Sequence, residues 1–192
     1  MLALTVFTVL ILGGLYLLDL LREPKPLPEF TEEQIKQKWR DLGFFCELDH
    51  QDKLWTLTGS LRGLLFFPDL LLGYIADPEN AKDGNKKKYG PYGTLEIMTW
   101  PEAGMGNSIR GSATALAHLA EIVDAKLASA QPGDQIRIRE EYAPDNTYTL
   151  LLDIRPDGFD PASADRERLG SLMSIAAVKK TEPATGVAGL AN

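Results

Sequence analysis

The chain has 192 residues, a formal net charge of −7 and a single cysteine, Cys46. Negative charge repels nucleic-acid phosphate and argues against DNA or RNA as a partner, and one cysteine excludes both an internal disulfide framework and a cysteine-rich metal site. An acidic surface suits a basic protein partner, although a net charge of this size also serves solubility.

Met1 to Leu18 carry no charged side chain, and Asp19 is followed by Leu20, Leu21 and Arg22. A helix rising about 1.5 Å per residue crosses the hydrocarbon of a bilayer in roughly 20 residues. Residues 1–21 are therefore expected to form a single transmembrane anchor. A cleaved signal peptide would have a basic start and a small-residue cleavage site; neither is present, and no cysteine follows the run for lipid attachment. The expected location is a membrane, with the bacterial inner membrane as the leading reading. Arg22, Lys25, Lys36, Lys38 and Arg40 follow the span and put the domain in the cytoplasm by the positive-inside rule. Asp19, Glu23 and Glu29 are interleaved with them, so the side stays open.

Residues 22–30 contain Pro24, Pro26 and Pro28 and read as an extended spacer. Thr31 and Gln34 make a capping box at the start of a helix in which Ile35, Trp39 and Leu42 share a face and Gly43 ends the run. Phe44–Asp49 and Leu54–Thr58 read as a hairpin around residues 50–53. Leu61–Phe67 reads as a third apolar run stopped by Pro68, and Asp69–Ala76 as a short, very apolar helix. Asp77–Gly93 is polar and turn-rich. Thr94–Trp100 alternates like a strand.

The strongest periodicity runs from Ser108 to Ala130, where Ile109, Ala113, Leu116, Ala120, Val123, Leu127 and Ala130 form one stripe. Gln135–Tyr142 and Thr147–Arg155 read as strands joined by a turn at residues 143–146. A weaker helix is expected over 162–178, and residues 181–192 read as a disordered tail. The fold class is thus α+β. Behind the anchor, residues 31–180 form one domain: a mostly antiparallel sheet of about five strands packed by the long helix.

No catalytic, cofactor or metal set stands out. Gly104-Met-Gly106-Asn107-Ser108-Ile109-Arg110 lies between a strand and a helix start, where backbone N–H groups can cradle an anion. Its spacing matches neither the dinucleotide nor the P-loop pattern, and a capping loop is the plainer reading. Asp153–Gly158 fails as a calcium loop because Arg155 and Ala164 occupy ligand positions. Cys46, Asp49, His50 and Asp52 share a hairpin but do not converge. His118 and Glu121 lie on a wet helix face. Glu140 and Glu141 point to opposite sides of a strand.

The residues singled out for partner binding are Lys86, Lys87, Lys88, Tyr89 and Tyr92 in a basic aromatic loop, with Gly106, Asn107, Ser108 and Arg110. Leu64–Phe67 and Leu70–Leu72, with Tyr74 and Ile75, are mostly core, and any surplus would be a docking patch. The leading functional expectation is a membrane-anchored, non-enzymatic protein-binding module, most concretely an inhibitor or immunity-type protein that holds a toxin or effector. The alternatives are an accessory subunit of a membrane protein complex, and an enzyme using the 104–112 loop as an anion site.

Overall fold

The computed structural model describes residues 30–165 of the 192. The expected anchor over 1–21, the rest of the spacer and the tail over 181–192 lie outside the described residues. Among those described, no helix is long and apolar enough to cross a membrane.

Helix α1 spans Glu32–Leu42. Its start is the expected capping box: the Thr31 hydroxyl accepts from the Gln34 N–H, and the Gln34 side chain accepts from the Thr31 N–H at 2.8 Å. Gly43 closes it at φ +85°, in the left-handed region that glycine enters without a Cβ penalty, and its N–H returns to Trp39 and Arg40. Strands β1 (Phe45–Asp49) and β2 (Leu54–Ser60) form the expected antiparallel hairpin. Asp49 organises its turn by accepting from the Gln51 and Asp52 N–H groups.

The next run departs from expectation. Leu61–Leu64 is a single helical turn, α2, capped by Ser60, and Phe66–Ala76 is helix α3. Pro68 lies in the first turn of α3, where its missing N–H costs nothing. It is therefore a helix-start residue and does not stop a strand. Lys86–Tyr89 is strand β3, in place of the expected loop, and β4 covers Leu95–Thr99.

The helix expected from Ser108 starts later. Gly104–Met105 and Ile109–Gly111 are two short strands, β5 and β6, and helix α4 covers Ala113–Leu127. The Ser112 hydroxyl, not Asn107 or Ser108, accepts from the Ala115 N–H and caps α4. Leu116, Leu119, Ala120, Val123 and Leu127 give α4 its buried stripe. Strand β7 is Gln135–Ile138, shorter than expected, and β8 is Thr149–Arg155. Of the helix expected over 162–178, the described part is a 3₁₀ turn at Pro161–Ala164, and the remainder lies outside the described residues.

The expectation of one mostly antiparallel sheet of about five strands is overturned. Among the described residues, eight strands make two mixed four-stranded sheets, in the orders β1-β2-β8-β7 and β3-β4-β6-β5. Each sheet consists of two antiparallel hairpins whose second strands lie side by side in parallel: β2 with β8, and β4 with β6. The parallel β2–β8 seam runs from Leu54↔Thr149 to Ser60↔Arg155. Both strands are buried along most of their length, as a central parallel pair requires. Trp39, Trp55, Phe44, Phe67 and Tyr74 are the largest fully buried side chains, each worth roughly 1.5–3 kcal/mol in burial. Two indole N–H groups are satisfied across the chain. Trp39 Nε1 donates to buried Asp165 at 2.7 Å, and Trp55 Nε1 donates to the Gly106 carbonyl at 2.9 Å.

Candidate functional site

The residues singled out from the sequence do not form one site. Lys86–Tyr89 occupies β3, an edge strand of the second sheet, while Gly106–Ser108 is the turn between β5 and β6 at its opposite edge. The basic stretch is also partly neutralised. Glu96 on β4 stands opposite Lys88, and its carboxylate receives Lys86 at 3.4 Å and Lys88 at 3.7 Å. Lys87 projects the other way, with its ammonium 5.8 Å from the Tyr89 ring centroid. Charged residues on an exposed edge discourage strand-to-strand aggregation, which accounts for this lysine run. Burial, with Tyr74 and Asp77 nearby, pushes the Tyr89 phenol up to about 12. Tyr92 is partly exposed and holds a φ of +61°.

The glycine segment is not a loop ending on a helix N-terminus. It is a tight hairpin in which the Gly106 N–H donates to the Ser108 carbonyl at 3.0 Å, and Trp55 holds its tip. Ser108 is buried. Arg110 lies on β6 directly opposite Gly104.

The remaining polar groups are placed as follows. His50 Nδ1 is 3.1 Å from the Tyr148 hydroxyl, and Lys53 sits 5.0 Å from that ring. His118 lies beside Glu121 on the exposed side of α4. Cys46 is buried. Among the described residues no three His, Cys, Asp or Glu side chains are placed to hold a metal ion.

A different surface comes forward. Helix α3 buries Phe67, Leu71 and Tyr74 at the i, i+4, i+7 spacing of one helical face. Its opposite face is also apolar apart from Asp69. Leu65 just before it, with Phe66 and Leu72, are 45%, 49% and 43% exposed, and Gly73 and Ala76 extend that face. Asp69 is the one charged residue in α3. Five large hydrophobic side chains are exposed among the described residues, and these three belong to one short stretch.

Phe66 also lines a cleft of about 450 Å³. The cleft lies between the end of α1, the start of α2 and residues 158–161. Its floor is a close backbone approach of Gly43 to Gly63, where a Cβ on Gly63 would lie 2.1 Å from the Gly43 carbonyl oxygen. On one wall, Arg40 grips Asp160 with Nη2 at 2.8 Å and Nε at 3.2 Å from both oxygens. This grip holds the Asp160 carboxyl below the usual carboxylate range. Arg62, also at the cleft, is exposed and has no ion pair among the described residues. Phe159 completes the lining.

The arrangement offers two phenyl rings, a flanking cation and a ridge of aliphatic side chains. That set can desolvate an apolar anchor and orient an acidic neighbour. Sequence reading reached the apolar stretch but not the cleft. Arg40 and Asp160 lie 120 residues apart, and Phe159 carries no local signal. No family model, no curated protein and no solved structure matches this chain.

Proposed function

We propose that this chain is a protein-binding module held at a membrane through residues 1–21, and that it docks its partner on the outer face of α3 and the adjoining cleft. The observation that carries this reading is the clustering of Leu65, Phe66 and Leu72, each more than two-fifths exposed, on one helical stretch. Apolar side chains scattered singly over a surface are ordinary, but a contiguous set marks an interaction surface. The acidic balance of the chain and the presence of Asp69 within the face favour a protein over an anionic bilayer surface. Partner side chains would cover the ridge, and Arg62 would pair with a carboxylate at the rim. The simplest action of such a module is occlusion, as in an immunity-type inhibitor that caps a toxin or effector.

A photo-crosslinking residue placed at position 72 of the full-length chain tests this in cells, with position 87 on the β3 edge as control. The reading expects a discrete protein adduct from position 72 and none from 87. Lipid adducts alone, or equal yields from both positions, would contradict it.

A further inference from the structure

The exposed face of α3 continues into α2. Leu65 joins the two helices with helical backbone angles (φ −63°, ψ −19°), and its N–H donates to the Leu61 carbonyl at 3.1 Å. Arg62, Leu65, Phe66, Asp69, Leu72 and Ala76 are all exposed, and they step along one side of this joined helix at intervals of three and four or their sums. That is the spacing by which one helix presents a stripe to another. A methyl group added at Gly73, within the stripe, would meet nothing within 4 Å. The backbone there is open to close approach by a second helix.

The chain itself carries a segment that matches. Asp160 and Pro161 line the same cleft as Arg62 and Phe66, and the 3₁₀ turn at Pro161–Ala164 leads from there into residues 166–180. Leu169, Leu172, Met173 and Ala176 recur at i, i+3, i+4 and i+7, the spacing of one helical face. Residues 169–178 carry no charge, and α3 carries only Asp69. Ten helical residues span about 15 Å, close to the length of α3. An alignment parallel to α3, with Leu169 beside Phe66, sets Ala176 beside Gly73, a pairing of two small residues. The same alignment brings Lys179 and Lys180 to Asp77 and Glu79 at the C-terminal end of α3. Neither acid forms an ion pair among the described residues, and a helix C-terminus itself favours cations.

We propose that residues 166–180 form a helix that lies parallel to α3 and covers its exposed stripe in the free protein. A partner then reaches this face only by displacing the chain's own segment. That consequence rests on the docking role proposed for α3; the intramolecular contact does not. Tethering favours the segment over any free competitor, because a short connection holds it at an effective concentration in the millimolar range.

The test is disulfide trapping in the purified full-length chain in mild detergent, with no other protein present. Cys46 is buried and stays out of the reaction. Phe66→Cys with Leu169→Cys, and Leu72→Cys with Ala176→Cys, place thiols at matched levels of the two helices. Phe66→Cys with Ala176→Cys, and Leu72→Cys with Leu169→Cys, offset them by about 10 Å of helix rise, beyond the Cα separation of about 7 Å that a disulfide spans. A segment that is tethered but not docked would close all four pairs at similar rates. The expected result is intramolecular disulfides that form about tenfold faster or more in the matched pairs than in the offset pairs. The proposal is overturned if offset pairs close as fast as matched ones or faster, or if no intramolecular disulfide forms. Disulfide-linked dimers in its place would also overturn it and give the stripe to a second copy. Each of these failures leaves the partner reading standing, to be judged by the crosslink from position 72 in cells.

Discussion

Replacing Gly63 with alanine tests the packing that builds the cleft floor. The added methyl carbon would lie 2.1 Å from the Gly43 carbonyl oxygen and 3.1 Å from its carbonyl carbon, where ordinary contact begins at 3.4 Å. Gly43 cannot easily retreat. Its φ of +85° and its N–H bonds to Trp39 and Arg40, both 3.1 Å, are what terminate α1. Overpacking of a tight contact costs about 1–3 kcal/mol, and disturbing the cap adds the net value of a hydrogen bond, about 0.5–1.5 kcal/mol. The expected loss is therefore about 3 kcal/mol, seen in melting as a fall of about 10 °C for a domain of this size. Urea unfolding followed by tryptophan fluorescence reads it as a lowered midpoint at unchanged slope. Ser60→Ala provides the scale. It removes the hydroxyl that accepts from the Gly63 N–H at 3.2 Å and should cost about 1 kcal/mol. If Gly63→Ala costs no more than Ser60→Ala, the close approach does not constrain the packing.

Trp39→Phe keeps an aromatic side chain but removes the five-membered ring of the indole, and with it the donor to Asp165, leaving a small void and a buried carboxylate oxygen short of a 2.7 Å bond. It should cost about 2–3 kcal/mol by urea unfolding, and a cost below about 0.5 kcal/mol would show that the bond is not formed in solution. The Arg40–Asp160 pair should shape the acid limb of stability. The folded-state pKa of Asp160 lies below its ordinary 3.8, so the pair's contribution is complete above pH 3.8 and disappears as pH falls through the lower folded value. Asp160→Asn should therefore melt below the parent chain at pH 6, with the gap closing below pH 3.8 and narrowing in high salt. A gap that is constant with pH would refute the assignment. At the alkaline end, the Tyr89 phenol is raised to about 12, so its contribution is held below pH 10 and lost as pH rises through about 12. Absorbance at the phenolate band should show one high-pH step that Tyr89→Phe deletes, and an unchanged titration would contradict the burial of that ring.

Local chemistry was legible and long-range pairing was not. The capping box at Thr31 and Gln34, the glycine stop at Gly43 and the turn at residues 143–146 all rest on short-range hydrogen bonding, and each stands where the residues indicate. Leu61–Phe67 shows the limit. A short apolar run has no period that separates a strand from a buried helix. The decisive residue was Ser60, whose hydroxyl caps the turn. The apolar stripe runs back past the start of α4 to Ile109, because Ile109 is buried equally well by a strand. The parallel seams had no local trace, since β2 and β8 are joined across 95 residues at Thr58 and Asp153. At the candidate site, the apolar surplus of α3 was visible in its composition. Which of those residues face outward depended on where α4 packs against it.

The central claim is that the outer face of α3 binds a protein. Purification of the full-length chain from mild detergent, compared with a Phe66→Asp/Leu72→Lys double variant, tests it most directly, with co-purifying proteins quantified by mass spectrometry. Phe66 and Leu72 are 49% and 43% exposed, so the variant should unfold within about 3 kcal/mol of the parent chain, half the burial of two large side chains, and urea unfolding verifies that it is folded. The account predicts that a stoichiometric partner of the parent chain falls by about tenfold or more in the variant, the equivalent of about 1.4 kcal/mol. A partner retained in full by the folded variant would contradict it.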